Sequence, residues 1–115
     1  MNEEELKKLE SKIYIFSVDV FSFIKTLMDK NIISNDTQGL FNASSQLYSE
    51  FVDFMDDFRK VNRAAIFSKC FELANLSANH LEKIEVKGAL LNERVDLLIE
   101  IKEIIRNLEK LDFKV

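Results

Sequence analysis

Chemistry in this chain has few places to reside. There is one cysteine, Cys70, and one histidine, His80, within "KCFELANLSANHLEK", and a run of acids in "SEFVDFMDDF". Cys70 and His80 stand ten residues apart; on one helix that is about 15 Å along the axis, so they cannot form a nucleophile–base dyad. A thiol reacts as the thiolate in a partly exposed electropositive setting. Cys70 falls on an apolar stripe instead, as a small buried group. Glu50, Asp53 and Asp57 share a helical face and carry the hard oxygens a divalent cation prefers, but nothing supplies the remaining ligands. With Asp56 they read as a solvated acidic face. A di-iron bundle needs a Glu-x-x-His motif on each of two helices; here Ser77 stands three before the single histidine. Gly-rich phosphate loops and nucleophile elbows are also missing. No catalytic residue, metal or cofactor is expected, and the chain reads as a non-enzyme.

The sixteen basic residues are spread along the chain, and the densest cluster is Arg59, Lys60 and Arg63. Arg59 and Lys60 suit the negative end of a helix dipole; as a binding surface the cluster would act together with His80. The net charge of −4 argues against a strong phosphate-tracking surface, which needs clustered cations. The acids Glu50, Asp53, Asp56 and Asp57 support a different reading, an inhibitor or immunity-type protein meeting a basic partner.

The elements that carry these residues are helical throughout. The 115 residues include no proline and only two glycines, so long helices run uninterrupted. Leu6, Leu9, Ile13, Phe16, Val20, Ile24 and Leu27 recur at steps of three and four, predicting an amphipathic helix over about 3–30. "NIISND" interrupts it, and Asn35 with Gln38 resembles a capping box for a second helix over about 36–60. A break at Val61 and Asn62 precedes a third, about 63–86, with Ile66, Cys70, Leu73, Ser77, Leu81 and Ile84 as its stripe. Gly88 suits a left-handed stop, and Asn92 suits the cap of a fourth helix, about 93–111. Short connections make neighbours antiparallel. The expected fold is all-α, a single-domain antiparallel up-down-up-down four-helix bundle over residues 1–115.

The small and amide residues of "FELANLSANHLEK" divide between two faces of the third helix. Ala74 and Ser77 fall within its core arc and Ala78 near the edge, where small side chains let helices approach closely. Asn75 and Asn79 fall on the other side. On the first two helices the apolar arc covers about half the circumference, wider than a lone bundle needs. Ile15, Val18, Val95 and Ile99 fall outside even that arc. A contiguous apolar set would mark a binding surface, and self-association is the expected use.

The stretch "IFSKCFELANLSANHLEKI", followed by "VKGALLNERVDLLIEIKEIIRNLEKL", resembles the second half of the bacterial four-helix-bundle proteins encoded in 23S rRNA intervening sequences. The positions that carry the likeness are Phe67, Lys69, Ala78, Asn79, Leu81, Gly88, Leu90 and Leu91, with "LFNASSQLYSEF" corresponding to the second helix. The accessory variability determinant of diversity-generating retroelements shares that fold. The resemblance implies a homo-oligomer, a pentamer, acting as an accessory protein to a reverse transcriptase. The basic surface of the retroelement relative is missing here, which leaves nucleic-acid binding open. The acidic N-terminus is unlike a signal peptide, the lone thiol suits a reducing compartment, and no apolar run reaches the roughly 18 residues of a membrane span. A cytoplasmic protein that does not enter the membrane is therefore expected.

Overall fold

A computed structural model describes residues 3–56 and 63–112. Four helices follow one another: α1 Glu3–Asp29, α2 Asn35–Asp56, α3 Arg63–Lys83 and α4 Ala89–Asp112. Each packs against its neighbours in sequence, and α1 with α4 closes the ring. This is the up-down-up-down bundle that the periodicity predicts.

The core is one stack of aliphatic and aromatic side chains running the length of the bundle. Phe16, Leu40, Leu81 and Leu108 are among its fully buried members, one from each helix. Burying each such side chain contributes roughly 1.5–3 kcal/mol relative to leaving it in water. Where α2 meets α3, the facing residues are small. Ala43 and Ser44 on α2 and Ala74, Ser77 and Ala78 on α3 are all buried. The two buried hydroxyls bond within their own helices, Ser77 Oγ to Leu73 O at 2.9 Å and Ser44 Oγ to Phe41 O at 3.2 Å. Neither serine needs a partner across the seam.

The helix ends differ from expectation in three places, each for a local reason. α2 begins one residue earlier than predicted, because Ser34 rather than Asn35 is its cap. The Ser34 hydroxyl accepts from Thr37 N at 3.2 Å while Thr37 Oγ1 accepts from Ser34 N at 2.9 Å. That is a reciprocal capping box with threonine in the position usually held by Glu or Gln. α3 stops at Lys83 rather than near Val86, and Arg94 of α4 donates to the carbonyls of Leu81 at 3.2 Å and Glu82 at 3.1 Å. Carbonyls in a last helical turn lack the usual donor four residues on, and Leu81 O also accepts from Ile84 N at 3.3 Å. α4 starts at Ala89, four residues before the predicted start. Gly88 takes φ +62° and its carbonyl accepts from Leu91 N and Asn92 N, so Asn92 lies inside the helix rather than capping it.

The end of α1 is a Schellman motif. Asn31 adopts φ 60°, Asn31 N donates to Met28 O at 3.0 Å and Ile32 N to Leu27 O at 2.8 Å. Asparagine tolerates the left-handed region better than other side-chain-bearing residues. Ile32 then packs on the core, the apolar contact that accompanies this stop.

Candidate interaction surfaces

His80 sits in the last turn of α3 and meets the first turn of α2. Its Nδ1 lies 3.0 Å from Asp36 Oδ1, and both side chains are about 70% buried, with 27% and 29% exposed. An acid at the start of one helix and a histidine at the end of the next both suit the local dipoles. The imidazole also lies against the backbone of α2: a β-carbon built on Gly39 would come within 2.5 Å of its Cε1 and Nε2. His80 is thus a seam residue, held by Asp36 and seated on Gly39.

The rest of the expected basic cluster falls where the side chains are not described. Arg59, Lys60 and Asp57 lie outside the described residues, as do the break at Val61 and Asn62 and the predicted tail of α2 beyond Asp56. Arg63 opens α3, and its side chain is likewise outside the description. Asp53 and Asp56 are exposed, while Glu50 is half-buried. Burial pushes the Cys70 thiol up to about 12, helped by the negative charges of Glu50 and Asp53. Cys70 is 1% exposed and stays protonated, so it is a packing group.

A second acidic cluster, which the sequence reading passed over, lies between α1 and α4. Asp19 from α1 and Glu93, Asp96 and Glu100 from α4 line a groove of about 270 Å³ floored by Phe23 and Leu97. Burial raises the Glu100 carboxyl to about 7, a shift deepened by its hydrogen bond with Asp19 and by the charges of Asp19 and Asp96. Glu100 therefore keeps its proton to a higher pH than an ordinary carboxyl. The spacing of 93, 96, 100 and 103 marks an acidic stripe on α4 that periodicity can detect. That Asp19 faces it depends on how α1 and α4 close the ring. Further along this seam Lys12 Nζ bonds Glu103 Oε1 at 2.8 Å, and Lys12 holds the Glu103 carboxyl below its ordinary range. Among the described residues, no group of three or more His, Cys, Asp or Glu could hold a metal ion. Nor is any described helix long and apolar enough to cross a membrane.

The largest departure from a closed bundle is apolar. Tyr14 (53% exposed), Phe21 (55%) and Met28 (57%) project from α1 at seven-residue intervals. Beside them on α2 stand Tyr48 and Phe41. The Tyr14–Tyr48 ring centroids are 5.3 Å apart and those of Phe21 and Phe41 6.3 Å apart. Past Phe41, Met28 and Ile33 edge a groove of about 260 Å³ that reaches down to Ile24. Aromatic pairs at these separations gain from their quadrupoles as well as from burial. Here they line the α1–α2 seam with one side in water.

Comparison with known proteins identifies no relative: no family model, curated protein or solved structure matches the chain.

Proposed function

We propose that this chain is a non-catalytic, self-associating helix-bundle scaffold, an accessory protein whose α1–α2 face is covered by another protein surface. The observation that carries this reading is the exposed aromatic strip. Large exposed apolar side chains scattered singly are ordinary, whereas a contiguous patch marks an interaction surface. Phe21, Met28, Ile33 and Phe41 form such a patch, with exposed Tyr14 further along α1. The polar groups offer little competition: the thiol is buried and protonated, and His80 is engaged by Asp36.

The intervening-sequence resemblance supplies the client in this reading, a reverse transcriptase or another nucleic-acid enzyme in the cytoplasm, and offers a pentamer as one form of the assembly. The deciding experiment is solution mass by light scattering over a wide concentration range. A mass that is a multiple of 13.4 kDa is expected. A 13.4 kDa species at every concentration overturns self-association.

A further inference from the structure

We infer that a second copy of this chain packs antiparallel along the outer face of α1, about a two-fold axis near Val18. The inference rests on the self-association just proposed and specifies its geometry, replacing the five-fold arrangement with a two-fold contact.

The argument begins with a spacing. Lys7, Ser11, Tyr14, Val18, Phe21, Lys25 and Met28 are all exposed on α1. Their steps alternate four and three, the 3.5-residue period of a helix that pairs with another helix. α1 thus carries two seams. One, through Leu9, Ile13, Phe16 and Val20, faces the core. The other faces water and spans about 32 Å.

The outer seam is self-complementary when reversed. Laid antiparallel on a copy of itself, it places Tyr14 against Phe21 of the copy, and Phe21 against Tyr14. Val18 meets Val18 at the centre. Lys25 comes beside Ser11 and its neighbour Glu10, and Lys7 beside Met28 and its neighbour Asp29. Both lysines of the seam therefore end next to an acid, twice over by symmetry. A parallel copy would set Lys7 on Lys7 and Lys25 on Lys25, so charge selects the antiparallel arrangement. Among the described residues Glu10, Lys25 and Asp29 form no salt bridge within the chain, and Lys7 reaches only Glu3, at 4.0 Å with both side chains well exposed. The charges needed are available. Such a patch, matched to itself through a two-fold, is the isologous contact of closed dimers.

The size is adequate. A band of that length, as wide as the 20 Å bundle, covers on the order of 600 Å² in projection before side-chain relief is added, near the roughly 800 Å² per partner of a standard interface. Tyr48 and Phe41 flank the seam on α2 and extend the apolar floor beneath the incoming helix.

Two variants test this on the full chain. Val18→Cys sits at the axis and is expected to give a disulfide-linked dimer under mild oxidation. Ile99→Cys, on the exposed back of α4, is expected to give none, and buried Cys70 stays out of the reaction. Glu10→Lys alone and Lys25→Glu alone should each raise the dimer dissociation constant about tenfold, the scale of two disrupted exposed pairs. The double exchange should restore it. Circular dichroism of each variant confirms that the fold is retained. An odd-numbered assembly, no cross-link through position 18 or no rescue by the double exchange overturns the two-fold contact while leaving self-association standing. A monomer at all concentrations overturns both.

Discussion

Gly39 stands within α2 where His80 lies against the helix backbone. A glycine in mid-helix costs up to about 1 kcal/mol against alanine, and the contact of the imidazole with the α2 backbone explains why one is present. Gly39→Ala should therefore release the His80–Asp36 bond and forfeit the propensity gain. In a His80→Ala background the same change should stabilise by up to about 1 kcal/mol. Chemical denaturation of the four-member mutant cycle reads that coupling. At the other seam Glu100 has its folded carboxyl raised from 4.5 to about 7. The folded state then binds more protons than the unfolded chain between those values, so this group's contribution falls as pH rises from about 4.5 to 7. Asp19, Glu93 and Asp96 share the groove, and Lys12 lines the adjoining hollow with Glu100. Glu100→Gln should flatten the decline and stabilise the protein above pH 7 by on the order of 1 kcal/mol, given solvent screening of a half-open site. Thermal melts of both proteins across that window check it. No change in the slope would remove the raised Glu100 carboxyl from the account.

At the scale of the element, the apolar periods told the truth and the ends were harder. Leu6, Leu9, Ile13, Phe16, Val20, Ile24 and Leu27, read as a stripe, are all buried, because a 3.6-residue period leaves few ways to hide them. The α2 cap went to Ser34 over Asn35, since both are good capping residues and only the reciprocal bonds with Thr37 distinguish them. Ser34→Ala should accordingly cost about 1 kcal/mol and Asn35→Ala much less, measurable by urea denaturation. The early stop of α3 was beyond local reading, for its carbonyls are met by Arg94, which belongs to the next helix. The Schellman stop at Asn31 did carry a sequence signal, an asparagine just past the periodic stripe. His80's partner Asp36 lies 44 positions away, and no spacing rule connects them. The acidic groove was missed for the same reason.

At the scale of the whole molecule, the bundle measures 45 × 20 × 18 Å and keeps one long side apolar. A partner that binds only the folded state adds to stability by mass action. The melting temperature should therefore climb with protein concentration, and the Tyr14→Ser/Phe21→Ser double variant should lose that dependence while keeping its helical spectrum, since both side chains lie outside the core. Differential scanning calorimetry at several concentrations distinguishes this from a monomer, whose melting point stays fixed.

The sole histidine also gives the protein a built-in spectroscopic label. With one imidazole in the chain, its ring protons form an isolated pair of NMR lines that need no isotope labelling to assign. Because that ring rests on the Gly39 backbone, the lines report the opening of one end of the α2–α3 seam separately from the melting of the rest.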